Sequence, residues 1–98
     1  MDLYVIRRRN GWKIPEELQA AAERSRHVGD TEMPQEVRWI RSYVIEEPDG
    51  SLGTVCIYQA VSPEAIRAHA AASVMPANDI YPVADTVIVR PDPVPATA

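Results

Sequence analysis

The sequence predicts an α+β fold in which strands and helices follow one another as βαββαβ. Two observations support this prediction: the spacing of apolar residues switches between the period of a strand and that of a helix, and turn-forming residues separate the segments. A chain of 98 residues is long enough for one small domain. We expect that domain to span residues 1–90 and to be followed by a proline-rich tail, residues 91–98.

Four segments have the composition of strands, rich in β-branched and aromatic residues. They are LYVIRR from Leu3, VRWIRSYVIE from Val37, GTVCIYQA from Gly53 and VADTVIVR from Val83. The second and third are joined through EPDGS, whose Pro-Asp-Gly run is typical of a turn. These two strands should therefore pair as an antiparallel hairpin.

Two segments have helical spacing instead. The first, PEELQAAAERSRHVG, begins at Pro15 and reaches a natural stop at Gly29. The second, SPEAIRAHAAASVM, has Ser62 as its cap and ends before Pro76. The resulting order is the ferredoxin-like, or split βαβ, pattern, with both helices on one face of a four-stranded antiparallel sheet.

The other face of this sheet also needs a cover, because the strands are apolar on both sides. In the second strand both alternating sets contain large apolar residues: Ile40 and Val44 in one, Trp39, Tyr43 and Ile45 in the other. An antiparallel sheet with one face in water shows a cleaner alternation of apolar and polar residues. We therefore expect a homodimer in which a second sheet closes a dimeric α+β barrel.

Composition excludes several classes of function. A net charge of −4 and a pI near 5.0 disfavour binding to nucleic acid, and the basic run Arg7-Arg8-Arg9 is expected to be a solvated strand end. No apolar stretch approaches the length of a membrane span. The single cysteine allows no internal disulfide, which suits a reducing compartment, so a cytoplasmic location is expected.

The second strand offers a candidate small-molecule pocket. Strand alternation predicts Trp39, Arg41 and Tyr43 on one face, with Tyr58 on the neighbouring strand. Aromatic rings beside an arginine could hold a small aromatic or anionic compound. The same side chains could instead be anchors of the dimer interface, and the pattern does not decide between the two.

Cys56 and His69 are the candidate metal ligands. Cys56 lies in phase with Tyr58 on the third strand, and His69 lies at the border of the apolar stripe of the second helix. Each also has a plain structural explanation, the thiol as a small buried hydrophobe and the imidazole as a hydrogen-bonding lid. The two can share a site only if the helix covers the Cys56 side of the sheet. No catalytic triad or phosphate-binding loop is evident.

Three segments of the chain carry a family resemblance. In this order, VRWIRSYVIEE, GTVCIYQAVSPEAIRAHAAAS and MPANDIYPV resemble a family of small bacterial ferredoxin-like proteins, largely of unknown function, that includes actinobacterial nickel-binding proteins. The matching positions are Trp39, Ser42-Tyr43-Val44, Cys56-Ile57-Tyr58, Ala60, Glu64, Ile66-Arg67, His69-Ala70, Pro76-Ala77-Asn78 and Ile80. The chain departs from the family at Arg8-Arg9-Asn10, where members often carry an acidic residue.

The resemblance implies a dimeric α+β barrel able to bind nickel or another divalent transition metal, with Cys56, Tyr58 and His69 as the transferable positions. The leading interpretation is thus a homodimeric metal-binding protein without evident catalytic machinery. The alternative is a dimeric-barrel protein that binds or transforms a small aromatic or anionic compound.

Overall fold

The computed structural model describes residues 1–93 and confirms the α+β, ferredoxin-like prediction. The elements are β1 (Asp2–Trp12), α1 (Pro15–His27), β2 (Val37–Glu46), β3 (Leu52–Ala60), α2 (Pro63–Ser73) and β4 (Asp79–Pro82). A π-helical segment, Val28–Glu32, continues directly from α1. The antiparallel sheet has the order β2-β3-β1-β4, and the helices pack on one of its faces.

The predicted hairpin and helix starts are present. The β2–β3 turn is closed by the amide of Glu47 donating to the carbonyl of Ser51 over 2.9 Å, and Gly50 takes a positive φ of 87° that suits glycine. At the start of α2 the hydroxyl of Ser62 accepts a hydrogen bond from the amide of Ala65 at 3.1 Å, as expected of an N-cap.

The two faces of the sheet have different surroundings. Residues of β1 and β3 that pair side by side, such as Ile6 with Cys56 and Tyr4 with Tyr58, point toward the helices and are buried. The buried core cluster on this helix-covered face consists of Tyr4, Ile6, Val37, Cys56, Tyr58, Ala60 and Ile66. The intervening residues point to the opposite face, which we call the open face. Val5 and Ile57 pair there.

A bulge in β2 changes the phase of that strand. Trp39 pairs with Tyr58, but Arg41, two residues later, pairs with the adjacent Ile57. The extra residue is Ile40, and such an insertion moves the following side chains to the other face. The prediction that Trp39 shares a face with Arg41 and Tyr43 is therefore wrong: Trp39 lies on the helix-covered face, and the other two lie on the open face.

The last strand lies earlier in the chain than predicted. Asp79–Pro82 forms β4 and pairs with residues 4–7 of β1, whereas no strand is present in residues 83–90. The edge of β1 is already occupied by β4, so the β-favouring TVIVR run cannot pair with β1. Pro82 is tolerated because it ends an edge strand.

Residues 83–93 run instead along the open face. A space of about 910 Å³ lies between this segment and the sheet, with Val5, Ile40 and Ile57 on the sheet side. Asp92 contacts both Arg41 and Tyr43 there. Positions 94–98 of the predicted tail lie outside the described residues, and the domain boundary at residue 90 stays a prediction. Within residues 1–93, neither helix combines the length and apolar character that a membrane crossing requires.

Candidate functional site

The helix-covered face brings the predicted metal ligands to the same side of the sheet. Cys56 and Tyr58 project from β3 toward the helices, and His69 projects from α2 toward β3. The rings of Tyr58 and His69 meet edge to face, with 5.3 Å between their centroids. The condition for a shared site, that the helix should cover the Cys56 side, is thus fulfilled.

His69 is fully buried, with no exposed surface, rather than lying at the border of the helix. Its Nε2 lies 2.9 Å from the backbone carbonyl oxygen of Ser25 in α1. A carbonyl can only accept, so Nε2 carries the proton and Nδ1 carries a lone pair. Among the described residues Nδ1 has no hydrogen-bond partner, although it is buried.

The surroundings of His69 keep the imidazole neutral. Burial lowers the pKa of His69 below its ordinary value of 6.5, and the nearby positive charge of Arg8 lowers it further, while the hydrogen bond to the Ser25 carbonyl acts in the opposite direction. Burial also raises the pKa of Tyr58 above 10.0, so the phenol stays protonated. The hydroxyls of Tyr58 and Ser25 are 2.9 Å apart and hydrogen bond to each other.

The π-helical segment passes beside the imidazole. A Cβ atom placed on Gly29 would lie at van der Waals distance from the ring, 3.6 Å from Nε2 and 3.9 Å from Cδ2 of His69. π-Helical insertions are rare and occur often at functional sites. Gly29 faces the Nε2–Cδ2 edge of the ring, whereas Nδ1 is itself buried, so a ligand can reach Nδ1 only if part of its surroundings moves.

Cys56 is a free, buried cysteine whose thiol donates to the hydroxyl of Thr54 over 3.2 Å. Its environment matches the interpretation of cysteine as a small buried hydrophobe, and it remains available as a soft donor. Within residues 1–93 no group of three or more His, Cys, Asp or Glu side chains is arranged to hold a metal ion. A metal held by His69 and Cys56 would therefore need additional donors.

The basic run is not a solvated strand end. Arg7 forms a bidentate ion pair with Glu47, and Arg9 forms an ion pair with Asp79. Arg8, between them, is 1% exposed and lies beneath the helices. Nη1 of Arg8 donates to the carbonyl of Pro76 over 2.6 Å. Its guanidinium lies 5.8 Å from the centre of the Tyr58 ring.

The predicted small-molecule pocket is divided between the two faces. Trp39 stacks nearly parallel to Tyr58 on the helix-covered face, with 6.2 Å between ring centroids. Arg41 and Tyr43 lie on the open face and contact Asp92. The four side chains do not surround one space, and any ligand role for each of them remains a prediction.

Sequence reasoning missed Arg8, and a signal for it was present. In a strand that begins at Leu3, Arg8 has the same phase as Tyr4 and Ile6, so it points to the core side. The bulge at Ile40 had no comparable signal, because large apolar residues occur in both alternating sets of this strand and so do not define one buried phase.

Comparisons with known proteins place the chain in a family. The model of nickel-responsive SCO4226-like proteins matches residues 4–83. The chain belongs to the SCO4226-like family of nickel-responsive proteins. Its fold is also that of the crystal structure of SCO4226 from Streptomyces coelicolor A3(2), with a TM-score of 0.67 and 16% identity over 87% of this chain and 99% of that one. No protein with a curated description matches the sequence.

Proposed function

We propose that this member of the family is a cytoplasmic, homodimeric protein that binds nickel or another divalent transition metal without catalysing a reaction, with His69 as the principal donor and Cys56 as a second. The carrying observation is the orientation of His69: Nε2 donates to the carbonyl of Ser25, and Nδ1 is buried without a partner among the described residues. Histidines that ligate metals usually donate their other N–H to a carbonyl or carboxylate in this way.

The electrostatics of the site support a neutral ligand. A metal needs the imidazole deprotonated at the coordinating nitrogen, and the lowered pKa of His69 provides that state at neutral pH. Imidazole and thiolate are both suitable donors for nickel, although they do not define which metal is bound. The positive charge of Arg8 opposes a cation nearby, so we expect moderate rather than tight affinity.

The remaining donors have to come from water or from a second subunit. His69 and Cys56 supply only two of the ligands that a transition metal takes, and both are buried in the single chain. Because Nδ1 of His69 and the Cys56 thiol are both buried, metal entry requires local movement of the residues around them. Family membership in a nickel-responsive group supports the choice of nickel as the first metal to test.

The homodimer is supported by the open face. Ile40, Tyr43 and Tyr81 are 44%, 47% and 51% exposed, and residues 87–89 of the C-terminal segment, Val-Ile-Val, are between 76% and 86% exposed. Exposed apolar side chains gathered on one face are typical of an interaction surface. A second copy of the chain, related by a two-fold axis, would cover them.

Equilibrium dialysis against nickel, on protein without a histidine tag, tests the metal proposal. The parent should retain nickel, the His69→Gln variant should lose most of it, and Cys56→Ser should lose less. His27→Gln is the matched control, because the His27 side chain is 65% exposed and contacts only Glu32. If His69→Gln retains as much nickel as the parent and His27→Gln retains none, the nickel site is at the surface around His27 and the proposal is wrong.

A further inference from the structure

A cavity lies between the helix-covered face and α1, and it includes Cys56 of the proposed metal site. Its volume is about 230 Å³, and its accessible surface is almost entirely apolar. The side chains that decide its chemistry are Arg8 and Trp12 from β1, Trp39 from β2, Thr54 and Cys56 from β3, and Leu18 from α1. It opens at the β2 edge of the sheet, where the lining residue Val44 is 56% exposed.

Arg8 is the unusual member of this lining. Within residues 1–93 its Nη2 is buried and has no hydrogen-bond partner, and no carboxylate forms an ion pair with it. The neighbouring arginines, Arg7 and Arg9, are each paired with an acidic side chain. Burying an unpaired charge costs free energy, and an anion bound next to the guanidinium would offset that cost.

The rest of the lining restricts that anion. Apart from Arg8, the polar groups of the lining are uncharged, so a second negative charge on the ligand would have no counterpart; they are the hydroxyls of Ser25, Ser42, Thr54 and Tyr58 and the Cys56 thiol. Trp12 and Trp39 offer flat aromatic surfaces, which favour a ring. A cavity of roughly 150 Å³ in another protein accommodates benzene, so about 230 Å³ has room for one ring with a small substituent.

We propose that this cavity binds a small aromatic monocarboxylate, with the carboxylate on the guanidinium of Arg8 and the ring against Trp12 and Trp39. Arg41, which the sequence pattern offered as the anion-binding arginine, lies on the opposite face of the sheet. The site does not require the metal proposed above.

The two tryptophans of the chain, Trp12 and Trp39, both line the cavity, so intrinsic fluorescence reports on it directly. Benzoate is titrated into protein freed of metal with a chelator, and benzamide, its uncharged analogue of nearly the same shape, is the matched ligand. Saturable quenching by benzoate is expected, with an affinity at least tenfold higher than for benzamide. Cyclohexanecarboxylate, which keeps the charge without the aromatic ring, should bind more weakly than benzoate.

The matched variants are Arg8→Gln and Arg38→Gln, because Arg38 is an exposed arginine on β2 that lies outside the cavity. Arg8→Gln should reduce benzoate affinity at least tenfold, and Arg38→Gln should leave it unchanged. If Arg8→Gln fails to fold, the benzoate–benzamide comparison on the parent protein still decides. Equal affinity for these two ligands, unaltered binding in a folded Arg8→Gln variant, or no response of the tryptophans up to about 10 mM benzoate would overturn the proposal.

Discussion

Nε2 of His69 donates to the backbone carbonyl of Ser25 over 2.9 Å and so ties α2 to α1 through the interior of the protein. This bond fixes the tautomer of the imidazole and leaves the lone pair of Nδ1 directed into buried space. The same side chain is therefore a structural link between the helices and, in our proposal, the principal metal donor.

The burial of His69 predicts a loss of stability in mild acid. Because the pKa of His69 is lowered in the folded state, the unfolded chain takes up the proton first as the pH falls below about 6.5. The contribution of the neutral imidazole is complete above that pH and declines below it. Urea denaturation at about pH 7.5 and about pH 5.5 measures how much the free energy of unfolding falls between the two pH values. This fall should be smaller for His69→Gln than for the parent. The exposed-histidine control, His27→Gln, should show the same fall in the free energy of unfolding as the parent. An equally large fall in His69→Gln would contradict this explanation.

Gly53→Ala should be severely destabilising because three groups already occupy the space of a Cβ atom. An added Cβ would lie 2.6 Å from the carbonyl oxygen of Arg8 and 2.8 Å from Nη1 of Arg7, and would also meet the Glu47 carboxylate. Since the carbonyl belongs to β1, the strands must separate, which should cost about 3 kcal/mol or prevent folding. Gly11→Ala is the control: its Cβ would approach only Pro76, at 3.4 Å, and should cost less than about 1 kcal/mol in chemical denaturation. Similar losses for both variants would show that the crowding at Gly53 is relieved at low cost.

Glu47 should be the carboxylate that most affects acid stability. It accepts hydrogen bonds from the amide of Asn10 at 2.9 Å and from Nη2 of Arg7 at 2.9 and 3.1 Å, and these contacts lower the pKa of Glu47 below 4.5. A lowered pKa means that the stabilisation is present above about pH 4.5 and is lost as the pH falls. Glu47→Gln should therefore lower the melting temperature by several degrees at neutral pH. In the variant, the melting temperature should also fall less as the pH is lowered. Glu46→Gln, at the exposed neighbour, should behave like the parent in the same thermal scans.

The open face should be the dimer interface. Ile40→Lys places a charge on this face and should shift the mass measured by light scattering from dimer toward monomer at micromolar concentration, because an unpaired charge in an apolar interface is unfavourable. Val74→Lys is the control, since Val74 is 73% exposed at the C-terminal end of α2, on the side of the sheet that the helices cover. A parent protein that is already monomeric, or a dimer unaffected by Ile40→Lys, would rule out this interface.

Local signals were sufficient for the parts of the fold that depend on local chemistry. The Ser62 cap and the turn around Gly50 are each set by a few neighbouring residues, and both are present as predicted. The order of the four strands and two helices followed from these segments, because the split βαβ pattern leaves few alternatives.

The errors concern features that depend on tertiary contacts. The TVIVR run has high strand propensity, but β4, Asp79–Pro82, occupies the edge of β1 that it would need. The bulge at Ile40 is set by pairing with β3, and it separates Trp39 from Arg41 despite their alternating sequence. The charge of Arg8 favours solvent, but its phase with Ile6 places it in the core.

The central claim, that His69 is the principal metal donor, is tested most directly by a crystal structure of the untagged protein soaked with nickel, with anomalous diffraction recorded at the nickel absorption edge. We predict that the strongest anomalous peak lies within bonding distance of Nδ1 of His69. A peak only at the exposed pair His27 and Glu32, or no peak in crystals that contain nickel in the solvent, would contradict the claim.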